Sequence, residues 1–214
     1  MDAAVVVDIQ GGFVPNVVLE SVRFAVPLAE SEFGGLAAGI WFCAGRPIRI
    51  PLPEPAGLDA WVDDWLDRGS PTARLRGVKR DNGLQRLKES GKIRSGQPFR
   101  LSPTLESVLD ASANLRDHTV VFVVLTEEPE DGAEFMATMK RAARYPVFWV
   151  FIGAEASVER SARLGVVDTL GRESGDPENF VIVKVNGWPA VTRWSVSRKV
   201  RRAVRRWRSR TPLG

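Results

Sequence analysis

One cysteine, Cys43, and one histidine, His118, are all that 214 residues offer of the two side chains most used for soft-metal ligation and nucleophilic catalysis. A single thiol excludes an internal disulfide framework, and one thiol with one imidazole cannot build a Cys/His zinc site. The same scarcity argues against a Ser-His-Asp or Cys-His triad, so any metal would have to be held by oxygen. No apolar run reaches the roughly 18 to 20 residues that a membrane-spanning helix needs. The opening MDAAVVVDIQ lacks the basic flank of a secretory signal. A cytoplasmic protein without a membrane span is the expectation. Phosphate-cradling motifs are missing too: there is no P-loop sequence, and DIQGGF does not fit G-x-G-x-x-G.

An apolar fraction of 44% is that of an ordinary globular chain, and the length suits one core, so residues 1–214 are read as a single domain. Strand-like runs recur at Ala4–Ile9, Leu36–Ala44, Pro47–Leu52, Thr119–Leu125, Val147–Gly153 and Asn179–Val185. Helical patterns lie between most of them. Asn16–Glu30 carries an apolar face, with Pro27 expected to kink or end it. Leu58, Trp61, Val62, Trp65 and Leu66 form a stripe at helical spacing. Ser102 or Thr104 is placed to cap a helix running to about Leu115, and Asp131 to open another reaching Tyr145. Alternation of this kind predicts an α/β fold: an open, Rossmann-like sheet, mostly parallel, with helices on both faces. The two close runs joined by AGRP predict one antiparallel edge strand, where the prolines at 47, 51 and 53 are tolerated.

The net charge of +4 hides two basic segments. From Arg68 to Arg100 there are ten Lys or Arg against two acids, and residues 69–100 read as a basic insertion with at most a short helix at Asn82–Ser90. Residues 193–210, RWSVSRKVRRAVRRWRSR, hold nine Lys or Arg and no acid. Val196, Val200, Ala203, Val204 and Trp207 share one helical face there, so residues 192–210 read as a last helix docking its apolar stripe. That leaves Arg201, Arg202, Arg205 and Arg206 on an exposed ridge, as the partner-binding candidates. A ridge of that sign is either a solvated face or a surface for an acidic protein, an anionic lipid or nucleic-acid phosphates.

The stretch KRAARYPVFWVFIGA, with HTVVFVVLTEEPEDGAEFMATM before it, resembles von Willebrand factor A (vWA) domains, and among them the bacterial tellurium-resistance-associated TerF-like group. Weaker similarity covers VVVDIQGGF and GIWFCAGRPIRIPLPEPAGLDAWVDDWL, so that about two thirds of the chain is included. The resemblance implies a metal-ion-dependent adhesion site at the strand ends, where an Asp, two Ser, a Thr and a second Asp surround Mg²⁺. In this sequence Asp8 keeps its place, Gln10 and Gly12 stand where the serines belong, and Thr104, or Ser102, supplies the second-loop hydroxyl. Thr126 is kept in the third loop, while Glu127 and Glu128 replace Asp and Gly. Asp8, Gln10, Thr104 and Glu127 are therefore the metal candidates. A glycine offers no oxygen and a glutamate is one methylene too long, and Mg²⁺ demands near-octahedral geometry. A degenerate site with no bound cofactor is the expectation, Asp8 and Glu127 being polar strand ends bonded to helix N-termini.

Asp8, Glu127, Glu128 and Asp131 would also suit the metal-binding acids of a nuclease or phosphatase. Yet DIQGGF and LTEEPED bring neither a Lys nor a nucleophile to that edge. The expectation is no enzyme, but a non-catalytic protein-interaction module in a bacterial stress, tellurium-resistance-like or conflict-response assembly. A nucleic-acid-binding accessory protein using the basic insertion and last helix is the second reading, and a divergent metal-dependent phosphoesterase the third.

Overall fold

Runs of valine, isoleucine and aromatics buried on both sides belong in the middle of a parallel sheet, and three such runs form its centre here. The structure, a computed structural model, describes residues 1–9, 16–36, 38–44, 46–52, 57–66, 83–93, 98–113, 117–126, 129–154, 179–185 and 188–211. In chain order its elements are β1 (Asp2–Asp8), α1 (Asn16–Glu32), β2 (Gly39–Cys43), β3 (Pro47–Ile50), α2 (Leu58–Trp65), α3 (Gly83–Glu89), α4 (Ser102–Ala113), β4 (Thr119–Leu125), α5 (Gly132–Ala142), β5 (Val147–Ala154), β6 (Phe180–Val185) and α6 (Ala190–Arg210). The strands make one six-stranded sheet in the order β3-β2-β1-β4-β5-β6. Every neighbouring pair is parallel except β2 with β3, which run antiparallel from Ile40 opposite Ile50 to Cys43 opposite Pro47. The expected α/β class and its antiparallel edge are both present.

Alternate residues of each strand feed two cores. Val5, Val7, Phe122, Val124, Phe148 and Val150 pack with α1, α2, α3 and α6 on one face. Ala4, Val6, Val121, Val123, Trp149 and Phe151 pack with α4 and α5 on the other. Burying a large side chain on either face contributes about 1.5–3 kcal/mol, so a one-residue slip of register, which exchanges the faces, is strongly disfavoured.

Three local features depart from the pattern in the sequence. Helix α1 continues through Pro27 to Glu32 instead of ending there. Pro27 faces solvent, where water can take the hydrogen bond that the ring forfeits. The helix expected to reach Tyr145 stops at Ala142, and turn-type bonds from Arg144 to Arg141 and from Tyr145 to Ala142 close it. Of the insertion, 69–82 and 94–97 lie outside the described residues; the part that is described is docked. Leu84, Leu87 and Ile93 are buried, and Gly83 sits so close to Trp65 that a Cβ there would lie 2.2 Å from the ring. The approach of α3 to α2 therefore requires glycine at position 83.

The last helix docks as its spacing predicts. Val196, Val200, Val204 and Trp207 are buried and Ala203 is half-buried. The Trp207 ring lies 5.4 Å from Phe148 and meets His118 edge-on at 4.9 Å. His118 Nε2 in turn lies 2.6 Å from the Thr211 carbonyl, where α6 ends. Among the described residues no helix is long and apolar enough to cross a membrane.

Candidate functional site

In an open α/β sheet the crevice for ligands lies beyond the carboxyl ends of the strands, where the order of strands reverses. Here that point falls between β1 and β4. Asp8 is the last residue of β1 and Thr126 follows the last residue of β4, so both belong to the crevice by topology. The Asp8 side chain is 1% exposed. Its Oδ2 accepts the Thr126 backbone N–H at 3.1 Å and the Thr126 hydroxyl at 2.5 Å. A buried carboxylate without donors would be costly. With two from one residue, it fastens the exit of β4 to the end of β1.

Asp131 contributes a second buried carboxylate, also satisfied within the chain. It accepts from Leu101 N–H at 3.0 Å through Oδ1 and from Ser102 N–H at 2.9 Å through Oδ2. Those are first-turn donors of α4, which helical geometry leaves without intrahelical partners. The sequence places Ser102 or Thr104 as the cap of α4, and Asp131 as the cap of the helix it opens. Asp131 is the N-cap residue of α5, as expected, but its side chain makes no bond to that helix; it caps α4 instead, where the Ser102 and Thr104 hydroxyls do not. A carboxyl cap also sets acceptor oxygens at the positive end of the α4 dipole.

The thiol of Cys43, at the end of β2, lies near enough to both acids for their charges to act on it. It donates to the Arg100 carbonyl at 3.0 Å. Burial pushes its pKa up strongly; the Thr104 hydroxyl opposes this, and the Asp8 and Asp131 carboxylates add to the rise. The thiol is therefore held neutral, an unreactive state. Thr104 Oγ1 lies near enough to influence it but makes no hydrogen bond of good geometry, and the Ser102 hydroxyl likewise has no protein partner among the described residues.

Asp8, Thr104 and Thr126 thus come together with Cys43 and Asp131 at the carboxyl edge, whereas Gln10, Gly12, Glu127 and Glu128 lie outside the described residues. The described donors by themselves do not fit Mg²⁺. A hard cation needs about six oxygens, but Oδ2 of Asp8 is taken by Thr126, both oxygens of Asp131 are taken by α4, and the thiol near both acids is neutral. Among the described residues no three His, Cys, Asp or Glu side chains converge to hold a metal.

The positive charge lies along α6, on the β5–β6 flank of the sheet. Arg201 forms an ion pair with Glu32 at 2.9 Å, and Arg193 with Glu20. Arg202, Arg205 and Arg206 are exposed and have no ion-pair partner among the described residues. Between α6 and the strands β5 and β6 runs an open cavity of about 570 Å³. Phe148, Val181 and Trp207 line it, with Arg198, Arg202 and Arg206 along the helix side. At its mouth Trp194 is 63% exposed and the Arg198 guanidinium lies 5.3 Å from its ring centre. Reading by stripes finds the arginines but misses the groove and the roles of Trp194, Arg198 and Lys199. Their relation to β6 exists only once α6 has been laid across the sheet; the one signal in the sequence is Trp194, off the buried stripe.

No family model matches the chain, and no curated protein matches it. Among solved structures it is similar to the manganese-loaded TRAP protein of Plasmodium vivax, at 9% sequence identity and a TM-score of 0.48. The alignment covers 95% of this chain and 73% of that one. The fold class stands on the strand order and registers themselves.

Proposed function

We propose that the chain is a vWA-like, non-catalytic protein-interaction module that recognises an acidic partner protein through the cationic flank of α6. The observation that carries this reading is Arg202, Arg205 and Arg206: three exposed cations without ion-pair partners among the described residues, on a helix whose other face is fixed in the core. Charges displayed by a rigid element meet a partner without ordering the backbone, which leaves only the rotamer freedom of the arginines to be lost. The absence of catalysis and of a bound Mg²⁺ is part of the same proposal, supported by the internal use of Asp8 and Asp131. The setting we propose is a bacterial stress, tellurium-resistance-like or conflict-response assembly, on the strength of the sequence resemblance.

The test is co-purification of the untagged protein from its native cell, with mass spectrometry and a nucleic-acid absorbance ratio. Replacing Arg201, Arg202, Arg205 and Arg206 with Glu is expected to release the protein partner and to leave the fold intact, within about 0.5 kcal/mol per exposed site. Arg201 adds the loss of its Glu32 pair, a surface contact of about 0–1 kcal/mol. Retention of every partner by the four-Glu variant at physiological salt would reduce the ridge to a solvated face. Loss of nucleic acid instead of protein would favour the accessory-protein reading.

A further inference from the structure

We propose that the groove between α6 and β6 is the docking site for an extended acidic segment of the partner protein, one bulky apolar side chain of which seats against Val181 and Ala203, above the buried Phe148 and Trp207. This deepens the interaction reading and rests on it. The volume of about 570 Å³ lies within the roughly 300–1,000 Å³ of ligand-sized pockets. Its floor is apolar, and the charged side chains lining it are all cations: Arg198, Lys199, Arg202, Arg206 and Arg210. An apolar floor under a one-sign rim selects a ligand that is apolar at one point and anionic around it.

The second wall favours a polypeptide over a nucleic acid. β6 is the last strand of the described sheet, so alternate backbone groups along it have no strand partner on the outer side. One β6 backbone acceptor, the Ile182 carbonyl, is already bonded by Lys199 Nζ at 2.8 Å, so an added strand uses the remaining outward groups. An extended peptide uses such groups by adding to the strand edge. Stacking surfaces for bases are poorer: Trp207 is 3% exposed, and the Trp194 ring carries the Arg198 guanidinium at 5.3 Å.

Fluorescence polarisation on the full chain at about 0.15 M salt tests this with three labelled probes. They are a peptide of Glu and Asp with a central Trp, the same peptide with a central Ala, and an oligothymidine. The Trp peptide is expected to bind about tenfold tighter than the Ala peptide, the effect of burying one large side chain, and to outcompete the oligothymidine. Filling the groove by Ala203→Phe should erase that tenfold difference while every arginine stays in place. Ser195→Trp, which enters the same groove from an exposed position, repeats the test if the first variant melts early. Arg205→Glu, on the outer flank, should weaken both peptides alike. Equal binding of the two peptides to the native chain, abolished by Arg202→Glu with Arg206→Glu, would overturn the groove and leave the cationic-flank reading standing. No binding of either peptide would overturn both, and preference for the oligothymidine would replace the peptide with a nucleic acid.

Discussion

At the carboxyl edge of the sheet Asp8 and Asp131 turn their oxygens toward donors of their own chain, whereas along α6 Arg202, Arg205 and Arg206 extend into solvent with no acid beside them among the described residues. The difference is one of burial. A carboxylate at 1% or 4% exposure must be satisfied internally, which ties its oxygens to donors of the same chain. An arginine in water carries no such debt and keeps its donors for a partner. In a fold whose ligands sit by habit at the switch point, the described acids there are bonded within the chain, while the exposed arginines lie on the flank of the last helix.

Removing what holds each region in place is the strongest way to break the comparison. Trp207→Ala is expected to destabilise the protein by about 3–5 kcal/mol in urea unfolding, because the ring is buried between Phe148 and His118. Asp131→Ala should follow at roughly 2–4 kcal/mol, since it leaves the Leu101 and Ser102 N–H groups buried without an acceptor. If the Asp131 variant unfolds no more easily than the native chain, that carboxylate is not structural and the contrast fails.

Asp8→Ala should cost about 1.5–3 kcal/mol through the lost Thr126 bonds. Its more telling readout is metal. Millimolar Mg²⁺ is expected to leave the melting temperature of the native chain unchanged, although a site saturated a thousandfold over its Kd would add about 4 kcal/mol. A rise with Mg²⁺ that Asp8→Ala abolishes would restore a working ion site at the carboxyl edge.

The smallest effect concerns an acid that is not buried. The N-terminal ammonium, hydrogen-bonded to Asp117, and the His118 N–H hold its carboxyl below the usual range, with burial opposing them. A folded-state value below the unfolded one gives a contribution that is present above about pH 4 and is lost as pH falls through the lower folded value. The side chain is 40% exposed, so solvent keeps that contribution small. Asp117→Asn should therefore lower the melting temperature slightly at neutral pH, the difference from the native chain closing as pH falls below about 4.

Local pattern carried most of the architecture. The valine run at Thr119–Leu125 has the bounds expected of it, the AGRP hairpin is the antiparallel edge, and the α6 stripe is buried at the residues its spacing names. These follow from the periods of strand and helix, which any short window of sequence displays. Helix ends were less legible, as at Pro27, where the chance that a proline faces water decides whether the helix continues.

The amino-acid sequence by itself determined the alternation of strands and helices, which faces are apolar, and that the last helix would be rich in arginine and free of acid. Only the tertiary structure decided what the charged groups do. Asp8 meets Thr126 across 118 positions and Asp131 reaches α4 across 29 and 30, separations at which no capping motif can be recognised. Arg201 is tied to Glu32 while Arg202 beside it borders a groove, a distinction set by what each side of α6 meets once the helix is docked on the sheet. Periodicity is a property of neighbours along the chain, but the partner of a buried charge is whichever donor the packing brings to it.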